Sequence, residues 1–226
     1  MNNQTVGGVQ GGMVRPGTAV PASTLVRGGV TRPAWGGGNA RQRVVLVLDC
    51  SPSMAGDKAR EASQAAQEFV QEVARAPGGG FEIAVVEFAG SAKRVQPLQP
   101  AGELAGRLGA IETRGWSTNI GKALETAEGT LATAPAVPPA VRELRAVVIL
   151  VTDGRHTGWF SPDRVADRLK ATADLVCVAV GVDADEIGLR RWASSPQHFY
   201  RVADGRELRR FLAAVGATLT RTMAAG

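Results

Sequence analysis

Val44-Val45-Leu46-Val47-Leu48-Asp49-Cys50-Ser51-Pro52-Ser53 is the stretch on which the reading of this chain turns. Five aliphatic residues in unbroken succession suit a strand buried on both faces, and such strands occur where helices cover both sides of a parallel sheet. The run therefore predicts a first, central strand. Asp49, Ser51 and Ser53 then fall in the loop at its carboxyl end, which is where ligands bind in open α/β sheets.

Working outward, Ala59, Ala62, Ala66, Phe69, Val70 and Val73 recur at three- and four-residue steps and predict a helix over Ala55 to Ala76, stopped by Pro77-Gly78-Gly79-Gly80. Phe81 to Ala89 and Lys93 to Gln96 read as strands around a Gly90-Ser91 turn. A weaker helical segment near Glu103 to Ile111 precedes a helix from Asn119 to about Thr133 and a Pro-rich connection, Pro135 to Pro139. Then come a core strand, Ala146 to Thr152, a helix from Ser161 to Ala173 opened by Ser161-Pro162, and a buried strand, Leu175 to Gly181. A helix around Asp185 to Ala193, a short strand His198 to Val202 and a helix from Asp204 to about Thr222 complete the pattern. Strands alternating with helices imply an α/β fold: a doubly wound, mostly parallel six-stranded sheet with helices on both faces.

Residues 1–42 differ in kind. They hold ten of the chain's 28 glycines and four arginines, Arg15, Arg27, Arg32 and Arg41, with no Asp or Glu and no periodic apolar pattern. Such a segment cannot bury enough apolar surface to offset the entropy of ordering, so a flexible tail is expected there, with the folded domain over 43–222 and a short end at 223–226. The net charge of +5 belongs to this tail, because the remaining 184 residues carry 22 basic and 21 acidic side chains. Gly-Gly-x-x-Arg-Pro occurs in it twice, at Gly11 and at Gly28, a repeat that either serves as a docking motif for another subunit or arises by chance in a Gly-biased segment. No run approaches the roughly 18 apolar residues of a membrane span. The first residues also lack the basic start and apolar run of a secretory signal, and of the two cysteines, Cys50 and Cys177, the second lies in the apolar run Leu175 to Val180 and reads as a buried thiol. A cytoplasmic protein without membrane contact is the expectation.

Two further segments join the first. Thr118 precedes its own helix, and Val151-Thr152-Asp153-Gly154 ends another buried strand in a carboxylate. Hard divalent cations take oxygen ligands, and alternate positions of a tight loop can turn a carboxylate and two hydroxyls toward one point. Ser and Asp are also common turn and cap residues, so the first loop alone leaves both readings open. Together, Asp-x-Ser-x-Ser at Asp49, Ser-Thr-Asn-Ile-Gly-x-Ala-Leu at Ser117 and Thr-Asp-Gly at Thr152 resemble the von Willebrand factor A family over residues 43–222.

The resemblance implies strand order 3-2-1-4-5-6, with the Lys93 to Gln96 strand antiparallel at one edge. It also implies a metal-ion-dependent adhesion site whose ligands are Asp49, Ser51, Ser53, Thr118 and Asp153. Mg²⁺ is the expected ion, with Mn²⁺ or Ca²⁺ as alternatives, and a Glu or Asp of a protein partner is expected to fill its open position. Trp116, Arg155, His156 and Trp159 lie on the ligand-bearing loops and are candidates for the rim that meets this partner, each weighed against simple packing within its loop. The absence of an export signal resembles stand-alone intracellular bacterial members, adaptors that work beside ATPases, chelatase-like machines or stress-response systems.

Other chemistries are less well supported. Cys50 has no histidine near it in sequence, and only His156 and His198 exist. No phosphate-binding glycine loop opens the first helix. An aspartyl phosphatase would carry a second acid two residues after Asp49, where Ser51 stands. A protein-binding module, not an enzyme, is the leading expectation; the alternatives are a Mg²⁺-dependent hydrolase and a scaffold whose basic tail binds nucleic acid, a thin signal at four arginines in about forty residues.

Overall fold

The computed structural model describes residues 40–76 and 80–224. The tail expected up to residue 42, its Gly-Gly-x-x-Arg-Pro repeat and the Pro77-Gly78-Gly79 helix stop lie outside these residues, apart from 40–42.

The central strand β1 (Ala40–Asp49) has its last eight residues buried. Alternation of side chains along a strand explains why an all-apolar run is needed there. Val44, Leu46 and Leu48 enter a core built with helix α1 (Asp57–Ala74) and the last helix, α6 (Gly205–Ala224). Val45 and Val47 enter a second core with α3 (Ile120–Ala132) and α4 (Pro162–Thr172). Strands β5 (Ala146–Thr152) and β6 (Ala173–Val180) divide their residues between the same two cores.

The remaining elements are β2 (Phe81–Phe88), β3 (Ala92–Pro100), the single turn α2 (Ala101–Leu104), β4 (Arg142–Glu143), α5 (Glu186–Trp192) and β7 (Phe199–Val202). The sheet runs β3-β2-β1-β5-β6-β7, with β4 attached to β1 alone. Without β4 this is the expected 3-2-1-4-5-6 order. All pairings are parallel except β2 with β3.

The sequence reading of the elements is corrected at three places. Among the described residues the sheet has seven strands, because Arg142–Glu143 pairs with Ala40 and Arg41 while Arg43 reaches Glu143 at 2.5 Å and Glu82 at 3.2 Å. Strand β3 runs to Pro100, well past Gln96. It passes through Pro97, which an edge strand tolerates because one side of its backbone needs no partner. The helix expected over Glu103 to Ile111 is only the turn Ala101–Leu104. Gly106, at φ +79°, ends it, and the chain then lies across α1, where the Ile111 N–H donates to Ser63 Oγ at 2.8 Å and Gln67 Nε2 to the Leu108 carbonyl at 2.9 Å.

Asn119, Ser161 and Asp185 cap α3, α4 and α5 with their side-chain oxygens, as helix starts favour. No helix among the described residues is long and apolar enough to cross a membrane.

Candidate metal centre

Strands β1 and β5 end side by side, Leu48 opposite Val151, so Asp49 and Asp153 leave the sheet on adjacent loops. Both carboxylates are buried, at 0% and 2% exposure. Asp49 is held on both oxygens: the Ser51 N–H donates to Oδ1 at 2.8 Å, and the Thr152 hydroxyl donates to Oδ2 at 2.5 Å. Thr152 itself accepts from the Gly154 N–H at 3.1 Å. Burial raises the Asp49 carboxyl above the ordinary Asp value, against the lowering effect of its hydrogen bonds from Thr152 and Ser51. The neighbouring Asp153 charge adds to the rise.

The first ligand loop makes its turn through Pro52–Met54, with Met54 buried as an anchor beneath it and Gly56, at φ +78°, leading into α1. A residue with a β-carbon resists that left-handed conformation. The turn sets the Ser51 and Ser53 hydroxyls 3.0 Å apart, and Ser53 Oγ donates to Asp153 Oδ1 at 2.7 Å. Thr118 arrives from the opposite side of the sheet edge. Its loop is tied down by the Arg114 N–H to the Cys50 carbonyl and the Asn119 N–H to the Ala89 carbonyl, each 2.7 Å. Thr118 also exchanges hydrogen bonds with Thr157, its N–H to Thr157 Oγ at 2.8 Å and its carbonyl from the Thr157 N–H at 2.9 Å. A β-carbon added to Gly154 would stand 3.2 Å from Thr118 Oγ and 3.8 Å from Asp49 Oδ2, so glycine there leaves these oxygens room to converge.

All five residues expected as ligands thus meet at one sheet edge. Their chemistry fits a hard, octahedral ion. Neighbouring ligands in a shell with bonds of about 2.0–2.1 Å stand about 3 Å apart. The Ser51–Ser53 and Ser53–Asp153 oxygen separations are 3.0 and 2.7 Å. No three His, Cys, Asp or Glu side chains group as a metal set among the described residues, so a cation here must draw on hydroxyls. Asp153 already attracts one positive charge, the Lys58 ammonium, whose Nζ lies 2.5 Å from Oδ2.

The four rim candidates part company. Trp116 and Trp159 are fully exposed, at 98% and 105%, and neither packs into its loop. Arg155 is exposed beside them. His156 instead turns inward: its Nδ1 accepts from the Ile120 N–H at 3.2 Å, and its ring meets Trp192 edge to face at 6.4 Å. Burial lowers its pKa below the ordinary His value. Its place is that of a support for the first turn of α3, beside Thr118.

Sequence reasoning missed four contributors. Thr152 was visible within Val151-Thr152-Asp153-Gly154, yet nothing in one strand indicates that its hydroxyl reaches a neighbouring strand's carboxylate. Lys58 gave one signal, a cation in the first turn of a helix, where the dipole disfavours it. Val182 and Ile187, 80% and 84% exposed, follow β6 and open α5, at the same edge of the sheet as the tryptophans. Cys50 is fully buried and burial pushes its thiol up to about 12, which removes it as a nucleophile.

Comparison with known proteins agrees with this fold. The structure is similar to proximal thread matrix protein 1 of the mussel byssus, described with a zinc-occupied adhesion-site motif, at 22% identity and a TM-score of 0.67. That likeness covers 80% of this chain and 46% of the byssus protein, so the chain spans less than half of its length. A von Willebrand factor type A protein from Catenulispora acidiphila is similar at 21% identity and a TM-score of 0.61, over 79% of this chain and 42% of that one. The von Willebrand factor domain of the pilus tip protein Mfa5 from Porphyromonas gingivalis is similar at 14% identity and a TM-score of 0.66, over 83% and 97%. A search of curated proteins finds no match. The model of the von Willebrand factor type A domain matches residues 44–214, three quarters of the chain, and the chain belongs to that family.

Proposed function

We propose that this protein is a metal-dependent protein-binding module, which holds a divalent cation on Asp49, Ser51, Ser53, Thr118 and Asp153 and captures an acidic side chain of a partner within a larger assembly. The observation that carries the reading is the row of oxygens from Ser51 through Ser53 to Asp153, at octahedral spacing, with Trp159 exposed on the Asp153 loop and Trp116 on the Thr118 loop. Asp49, Ser51, Ser53, Thr118 and Asp153 would hold the ion between them, Asp49 being oriented by Ser51 and Thr152.

A cation bound mostly by neutral oxygens remains electrophilic and accepts one more carboxylate from outside. Mg²⁺ suits the spacing best, since Ca²⁺ prefers longer bonds and more ligands; Mn²⁺ is an alternative. The byssus neighbour, with zinc in its motif, shares the fold at low identity and leaves the choice of ion to measurement. Trp116, Trp159 and Arg155 form the contact rim, where a desolvated carboxylate–metal bond acts as the anchor of the interface.

The test is affinity capture of partners from the native host, with Mg²⁺ and with chelator, using wild type and Asp49→Ala. Partners lost under both perturbations support the reading. Capture indifferent to both overturns it.

A further inference from the structure

Lys58 stands at the second residue of α1, where the unsatisfied N–H groups of the helix start repel a cation. Its position is explained by the metal centre. Nζ lies 2.5 Å from Asp153 Oδ2 and 3.3 Å from the Ser53 carbonyl oxygen. The two partners are unequal in mobility: the Asp153 side chain is 1% exposed, while the Lys58 side chain is 38% exposed on a flexible stem. The carboxylate next in sequence, Asp57, is held by Arg60 at 2.9 Å and offers Lys58 no substitute.

We propose that Lys58 is the built-in competitor for the cation of this site. Its ammonium neutralises Asp153 when no metal is bound, and a divalent ion enters by displacing it toward solvent. The inference rests on the metal-binding reading above and adds the residue that sets the affinity. Charge counting gives the direction. Asp49 and Asp153 bring two negative charges within one centre, and Lys58 reduces the net to one. A divalent ion without Lys58 brings it to zero, whereas ion and ammonium together would leave an excess positive charge on the buried Asp153. The same lysine therefore halves the negative charge of the metal-free site, and weakens its hold on the ion. Its exposure makes the displacement a side-chain movement only.

The experiment is calorimetric titration of MgCl₂ and MnCl₂ into the metal-stripped full chain, with thermal melts in chelator. Lys58→Met keeps the stem and removes the charge. The expected result is at least tenfold tighter metal binding than wild type, with a lower melting temperature in chelator. Lys58→Arg, which keeps the charge, is expected to bind no tighter than wild type. Unchanged or weaker binding by Lys58→Met, while wild type binds, overturns the inference and leaves the metal reading standing. No binding by wild type or by either variant overturns both. Wild type alone supplies a second readout, since acetylation of Lys58 followed by mass spectrometry should run faster with Mg²⁺ than with chelator. Equal or slower labelling with Mg²⁺ overturns the displacement.

Discussion

Thr152 donates its hydroxyl to Oδ2 of Asp49 from the adjoining strand, joining two residues 103 positions apart at the point where β1 and β5 leave the sheet. The bond orients a buried carboxylate that its own loop holds through Ser51. Thr152→Val keeps the shape and deletes the donor. It is expected to lower stability by about 1.5–3 kcal/mol, the usual cost of losing a hydrogen bond to a charged group. Metal affinity should fall about tenfold, as for other residues that orient ligands. Urea unfolding and calorimetry with Mn²⁺ measure the two effects, and a metal affinity equal to wild type would contradict the orienting role.

Gly121 and Gly129 lie in the same helix and should respond in opposite ways to alanine. A β-carbon at Gly121 would fall 2.0 Å from the Phe160 carbonyl oxygen, a backbone atom of the β5–α4 loop. That loop carries Thr157, the hydrogen-bond partner of Thr118. Gly121→Ala is therefore expected to cost about 1–3 kcal/mol and to weaken metal binding through displacement of Thr118. A β-carbon at Gly129 would meet nothing within 4 Å, so Gly129→Ala should stabilise by about 0.5–1 kcal/mol. Denaturant midpoints for the two variants check the contrast.

His156 makes stability depend on pH in a definite direction. Its Nδ1 accepts a hydrogen bond in the folded state, and burial lowers its pKa below the unfolded value. The unfolded chain therefore takes up a proton first on acidification. The stability contributed by neutral His156 is fully present above about pH 6.5 and is lost as pH falls from there through the folded pKa. His156→Asn, which can present an oxygen to the Ile120 N–H, should flatten this part of the pH profile in thermal melts between pH 7.5 and 5.

Trp116→Ala and Trp159→Ala are expected to change stability by no more than about 0.5 kcal/mol, since both side chains are exposed and pack on nothing. Metal affinity should stay at the wild-type level. Capture of the metal-dependent partner should fall at least tenfold for at least one of them, the behaviour of interface anchors. Full capture by the double variant would move the partner contact to another part of the edge, where Val182 and Ile187 are also exposed.

The sheet was legible in the sequence because a buried parallel strand leaves no alternative to an apolar run: Val44 to Leu48, Ala146 to Thr152 and Leu175 to Val180 declare themselves. Edge elements did not, since β3 has no fully buried residue and contains Pro97. The two-residue β4 follows from ion pairs of Arg43 that only the folded chain brings together. The five residues proposed as ligands stand out in the sequence as motifs, four at or just after the ends of buried strands and Thr118 just ahead of a helix. Lys58 and Thr152 do not, because each acts on a carboxylate about a hundred residues distant. The inward turn of His156 depends on α4 and α5 placing Trp192 against it, which no local pattern reports.

The parallel pairing of β1 with β5 has a kinetic consequence. Val47 lies opposite Leu150, and the two loops that hold Asp49 and Asp153 come together only when this pairing, over a hundred residues long in sequence, has closed. Such distant contacts form late, because the chain must first give up the entropy of the loop between them. An ion held between those loops therefore has nothing to grip until the sheet is assembled. Added Mg²⁺ should leave the refolding rate nearly unchanged and slow unfolding, so that occupancy of the site sets the lifetime of the native domain and leaves the speed of reaching it to the sheet alone.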